Sequence, residues 1–132
     1  MSVRLLTALA APLALAACAV MPYLDAPPAS AYNPIEIPDR VFANPDQAVA
    51  WYLERTGNAE AEVTTEIGRD PSGRFTRLVL ITASGYADDS VTGEQWRLAL
   101  AQTDIGFRVV QAGIRYNCAR GDNPGWSRDL CP

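Results

Sequence analysis

The chain of 132 residues has no histidine and no lysine, so all eleven of its basic residues are arginine. Without an imidazole there is no Ser-His-Asp or Cys-His catalysis, no histidine general base and no histidine metal site. An excess of positive charge is missing too, since fifteen acids outnumber the arginines and the formal net charge is −4. A chain of that sign does not offer the phosphate-neutralising surface that nucleic-acid binding needs, and no nucleic-acid partner is expected. A membrane-spanning helix is not expected either: the apolar region Leu5 to Ala14 is ten residues and holds Pro12, about half of the roughly 20 helical residues that a hydrocarbon core of about 30 Å requires. No catalytic, metal or nucleotide motif stands out, so neither a cofactor nor an enzymatic activity is expected.

What is present begins at the N-terminus. Arg4 supplies a short positive region, Leu5 to Ala14 an apolar one, and the small residues Ala16 and Ala17 precede Cys18. An ordinary cleaved signal peptide with a coincidental cysteine would share these features. The tetrad Leu15-Ala16-Ala17-Cys18 resembles the lipobox of bacterial lipoproteins. The resemblance implies a signal peptide over 1–17, diacylglyceryl transfer to the Cys18 thiol, cleavage before it, and a further acyl chain on the freed amine. Several chains anchor stably where one binds marginally. The expected partner is therefore the membrane, through a lipid anchor. Ala19 is not the aspartate of inner-membrane retention, which points to the periplasmic face of the outer membrane. No twin arginine precedes the apolar run, which favours the general secretory route.

Removing residues 1–17 leaves 115 residues, enough for one small domain. Cys18 is then taken by lipid, and Cys118 and Cys131 remain as an even pair in an oxidising compartment. A disulfide between them is expected to stabilise by about 3 kcal/mol on the chain-entropy model. The alternative, a redox-active pair, usually has the closer C-x-x-C spacing.

Residues 18–43 read as the lipidated cysteine and a Pro/Ala-rich tether, broken by Pro22, Pro27, Pro28, Pro34 and Pro38, with Tyr32, Ile35 and Ile37 beginning to dock. A single domain over 44–132 follows. Asn44 as N-cap, Pro45 at the first helical position, Gln47 as capping-box partner and Gly57 as C-terminal stop predict a helix. Ala48, Val49, Tyr52 and Leu53 form its apolar face. From residue 61 the period becomes two. Strands are predicted around Val63–Ile67, Phe75–Ala83, Trp96–Leu100 and Val110–Tyr116, with turns at Asp70-Pro71-Ser72-Gly73 and Asp104–Gly106. The expected fold class is α+β: one N-terminal helix packed on a four-stranded antiparallel meander, with a disulfide-stapled C-terminal loop. This element order is similar to that of cystatin-like and nuclear-transport-factor-like folds.

Three features bear on function. Glu94 shares strand parity with Trp96, Leu98 and Leu100, which aims it at the helix–sheet concavity unless a bulge at Gly93 turns it to water. Asp88-Asp89 beside Ser90 offers oxygens for calcium but lacks the spacing of a calcium loop, and a solvated turn is the simpler reading. Arg115, Tyr116, Arg120, Trp126 and Arg128 surround the proposed staple. They suggest a recognition surface for an anionic glycan, lipid headgroup or acidic protein. Alternatively, Trp126 covers the sheet end and the arginines pair with acids. The stretches Asp88–Leu98 and Cys118–Cys131 also resemble small bacterial secreted proteins ending in C-x-R-G, a tryptophan and a last cysteine, which implies no activity. The expected role is a lipid-anchored binding or interaction module of the cell envelope, with an envelope protein or glycan as partner. A small envelope enzyme using Glu94, Tyr86 or Asp88, or an inhibitor presenting residues 119–130, is the alternative.

Overall fold

Asn44 accepts the Gln47 amide on its side chain at 3.0 Å, and Gln47 reaches back to the Ala43 amide at 3.2 Å. That reciprocal cap starts helix α1, Pro45–Thr56. Gly57, at φ +70°, ends it in the left-handed conformation that only glycine adopts cheaply. The computed structural model describes residues 23–57 and 60–132. The predicted signal peptide, the lipobox-like tetrad with Cys18, and Pro22 of the predicted tether lie outside the described residues.

Among the described residues, six strands form one antiparallel sheet: β1 (Asn33–Pro34), β2 (Glu62–Arg69), β3 (Phe75–Ser84), β4 (Val91–Thr103), β5 (Gly106–Cys118) and β6 (Gly125–Ser127). The order is β1-β5-β4-β3-β2, with β6 also on β5. This corrects the expected α+β class with its four-stranded meander. The described residues are mostly sheet, with 13 residues in each of β4 and β5 against 12 in their one α-helix. The two unpredicted strands are too short to show a period of two, and one contains Pro34. A proline cannot donate to a ladder, but an edge strand leaves it that freedom.

The helix covers one face. Ala48, Val49 and Tyr52 join Val79, Ile81, Trp96, Leu98, Leu100, Val109 and Ala112 in a single apolar core. On β5, Ala112 and Ile114 face inward, but Val110, which strict alternation would place on the same face, does not. A β-bulge there sets Ala99 opposite Gln111 and Leu100 opposite Val109. Val109 is buried in its place and Val110 is 52% exposed. The apolar row of β2 is also less covered than predicted, because β2 is an edge strand and Val63 and Ile67 stay exposed.

The opposite face is covered by the proline-rich segment. Its docking goes beyond the expected Tyr32, Ile35 and Ile37. Leu24 donates to the Arg69 carbonyl at 3.3 Å, the amides of Asp25 and Ala26 meet one Glu66 carboxylate oxygen, and Ile35 donates to the Ala112 carbonyl. Ile37, by contrast, stays exposed. Tyr32 is 2% exposed and its hydroxyl donates to Gln95 Oε1 at 2.6 Å. Gly113 makes room for it, since a Cβ there would stand 2.7 Å from the Tyr32 Cβ. Regular hydrophobic periodicity is not needed for such packing. A few anchors and backbone hydrogen bonds suffice, and prolines lower the entropy lost on ordering the segment.

Burial, helped by the negative charge of Glu36, pushes the Tyr52 phenol up to about 12. Its hydroxyl donates to the Glu36 carbonyl at 3.1 Å. Below pH 10 the phenol is protonated in both folded and unfolded chains, and its contribution is fully present. Above that, the unfolded chain releases the proton while the folded chain holds it. Stability should therefore fall by about 2 kcal/mol as pH rises through the window up to the folded value. Urea melts below and above this window test it; an equal slope in Tyr52→Phe would disprove the assignment.

Candidate functional site

Strand parity decides which of the candidate residues meet. Glu94 faces the helix side, paired across strands with Ala83 and Tyr116. A bulge does occur nearby, between Val91 and Gly93, but it precedes Glu94 and does not turn it outward. The Tyr86 hydroxyl donates to Glu94 Oε2 at 3.1 Å. Burial, and then the charge of Glu94, raises the Tyr116 phenol above its ordinary value. An open cleft of about 440 Å³ lies beside them, with Glu60, Glu62, Thr82, Ser84 and Tyr86 in its lining.

Asp88 caps the start of β4. One of its carboxylate oxygens accepts the Ser90 and Val91 amides at 2.7 and 2.9 Å, and these bonds hold its carboxyl below the usual range. Asp89 pairs with Arg120 at 3.0 Å. The doublet is therefore engaged in the turn. Among the described residues, no group of three acidic or thiol side chains is placed to hold a metal ion.

The five C-terminal candidates do not form one cluster. Neighbours along a strand point to opposite faces, so Tyr116 lies on the helix side and Arg115 on the side of the docked N-terminal segment. The Cys118–Cys131 disulfide closes the C-terminal segment, with Cα atoms 5.3 Å apart. Within that loop β6 pairs with the end of β5, setting Trp126 opposite Asn117. The Arg115 guanidinium then lies between two rings, 4.7 Å from Trp126 and 5.0 Å from Tyr32. Its Nε donates to Gln95 Oε1 at 2.9 Å, the same oxygen that accepts from Tyr32. Among the described residues, its two terminal nitrogens have no protein hydrogen-bond partner. Arg128 reaches across to the Ser30 carbonyl at 3.2 Å. Among the described residues, Arg120 is the one C-terminal arginine of the three that pairs with an acid, and that pair is exposed.

The stack therefore draws on Tyr32 and Gln95, two residues that the sequence reading did not place in the site. An isolated aromatic in a proline-rich stretch was the one available signal for Tyr32. The neighbouring Arg97 belongs to the same polar layer: Nε donates to the Pro27 carbonyl at 3.1 Å and Nη1 to Gln111 at 2.7 Å. Burial lowers the pKa of Arg97 and raises that of Tyr32, which Arg115 and Arg97 partly offset. An arginine held between two rings loses little freedom on binding, and a guanidinium matches a carboxylate or phosphate in a bidentate fit. Among the described residues, no helix is long and apolar enough to cross a membrane. Comparison with protein-family models, curated proteins and solved structures finds no match, so the chemistry of this site is read from its own residues.

Proposed function

We propose that this protein is a lipid-anchored binding module of the bacterial cell envelope, recognising an anionic group on an envelope glycan or protein. The observation that carries the recognition part is the Arg115 guanidinium held between Tyr32 and Trp126. Its position is pre-set by Gln95 and by the stapled β6 strand, while Trp126 is 41% exposed and open to a partner. Aromatic and arginine side chains in such rigid settings are where binding energy concentrates. The anchoring part rests on the lipobox resemblance at Cys18, with the signal peptide removed and the domain held at the periplasmic face of the outer membrane.

Two measurements test the reading. Mass spectrometry of the mature chain should find acyl chains on Cys18 as the first residue. Purified sacculi and an envelope protein extract should each be offered to the immobilised domain. Trp126→Ala with Arg115→Gln should weaken capture by at least about tenfold, roughly 1.4 kcal/mol. Unchanged capture by the double variant would remove the stack from recognition.

A further inference from the structure

The two hairpin turns lie at the same end of the sheet, because β2 to β5 form a meander in which Arg69 pairs with Phe75 and Thr103 with Gly106. The first described residue, Tyr23, reaches this end as well, bridging to Arg69 on the outer edge of β2. Tyr23, Arg69 and Phe75 therefore form a cross-strand row on one face. Tyr23 is 69% and Phe75 58% exposed, and Ile105, at the tip of the β4–β5 turn, is 79% exposed. Three large apolar side chains at one sheet end are unusual where turns are normally polar. Arg69 and Arg74 are exposed among them, and Asp70 is engaged by Ser72 and Arg74.

Five Cα–Cα steps separate Cys18 from Tyr23, which reach at most about 18 Å when fully extended. A 13-residue strand such as β4 is roughly 40 Å long. An anchor on Cys18 therefore keeps the Tyr23 end close to the lipid headgroups. That leash permits the sheet to lie flat or to stand on end; the exposed side chains choose the second. Aromatic rings favour the headgroup level, an aliphatic tip enters the acyl boundary, and arginines attract lipid phosphates.

We infer that Tyr23, Phe75 and Ile105 rest on the phospholipid surface as a second, non-covalent membrane contact, which holds the Arg115–Trp126 stack at the far end away from the bilayer. The inference depends on acylation of Cys18. It is tested with the acylated full chain carrying Ile105→Cys, since lipid on Cys18 and the Cys118–Cys131 bond leave a single thiol for an environment-sensitive NBD label. The control is Ala87→Cys, exposed in the β3–β4 connection at the opposite end. In phosphatidylethanolamine–phosphatidylglycerol vesicles containing lipids brominated on the acyl chains, the label at 105 should shift to the blue and be quenched, and the label at 87 should do neither. Equal quenching at both positions, or at neither with acylation verified by mass spectrometry, overturns the orientation alone. A blue shift that grows with protein concentration without quenching also overturns it, and indicates a second copy on this surface. An unacylated Cys18 removes the anchor itself, and the orientation falls with it.

Discussion

Replacing Tyr32 with alanine should cost about 3–5 kcal/mol of stability, the range for removing a fully buried aromatic side chain. The residue lies in a proline-rich stretch that the sequence assigns to a tether only beginning to dock at Tyr32, Ile35 and Ile37. In the folded chain its ring packs against the strand at Gly113 and under the Arg115 guanidinium, and its hydroxyl bonds to Gln95. The effect has two separable parts. Tyr32→Phe keeps the ring and removes only the hydrogen bond, so it should cost about 1 kcal/mol. Denaturant titration of both variants measures the difference. A loss below about 1 kcal/mol for the alanine variant would mean that residues 23–34 are not part of the cooperative fold. Because Tyr32 also forms one side of the Arg115 stack, the alanine variant should weaken capture of the anionic partner even where the domain remains folded. Stability and recognition meet in one side chain here.

Removing the disulfide should have the next largest effect. Cys118→Ser with Cys131→Ser opens a loop closed over a sequence separation of 13, which the chain-entropy model values at about 3 kcal/mol. The loss should not be evenly spread. The β6 strand has three residues and pairs only with the end of β5, so without the staple it has little to hold it. Trp126 should then leave the Arg115 guanidinium, with a change in near-ultraviolet circular dichroism, while the core around Trp96 and Tyr52 stays intact. Reduction of the wild-type chain should reproduce both changes. If the double variant retains its stability within about 1 kcal/mol and its aromatic spectrum, β6 is held by pairing alone, and the staple has no part in shaping the site.

These expectations separate the two ends of the sheet by task. The end with the two turns holds the exposed Tyr23, Phe75 and Ile105, and the end with the disulfide holds the guanidinium between its rings. The Glu94–Tyr86 hydrogen bond and the cleft beside it lie toward the disulfide end as well. Glu94 already accepts from a phenol, and the acidic lining of Glu60 and Glu62 sets that cleft apart from the positively charged stack.

Local chemistry made some of this legible in the residues alone. The cap of α1 involves residues three and four apart, Asn44 with Gln47 and Ala43 with Gln47, so its signal survives without any knowledge of the fold. The turn at Asp70 is equally local, with the Ser72 and Arg74 amides on the Asp70 carboxylate. The pairing of Cys118 with Cys131, one of three that three cysteines allow, was expected once the lipobox resemblance assigned Cys18 to lipid. Alternation in β4 gave Glu94 the parity of Trp96 and Leu98 but left a bulge at Gly93 open, and only the strand register decided the side. What only the tertiary structure decided is non-local. The balance tipped from α+β to mostly sheet because β4 and β5 run to 13 residues each, and because Asn33-Pro34 and Gly125–Ser127 become strands where β5 offers an edge. A bulge at Val110 is invisible to a pattern that counts by two, and it buried Val109 in place of its neighbour. Arg115 and Tyr116 were adjacent in sequence and parted by the pleat. Tyr32 came to Gln95 across 63 positions, a contact that depends on the folded sheet being there to receive it. Residues a turn apart carry their own geometry, whereas those brought together across the chain acquire it only when the backbone between them is already in place.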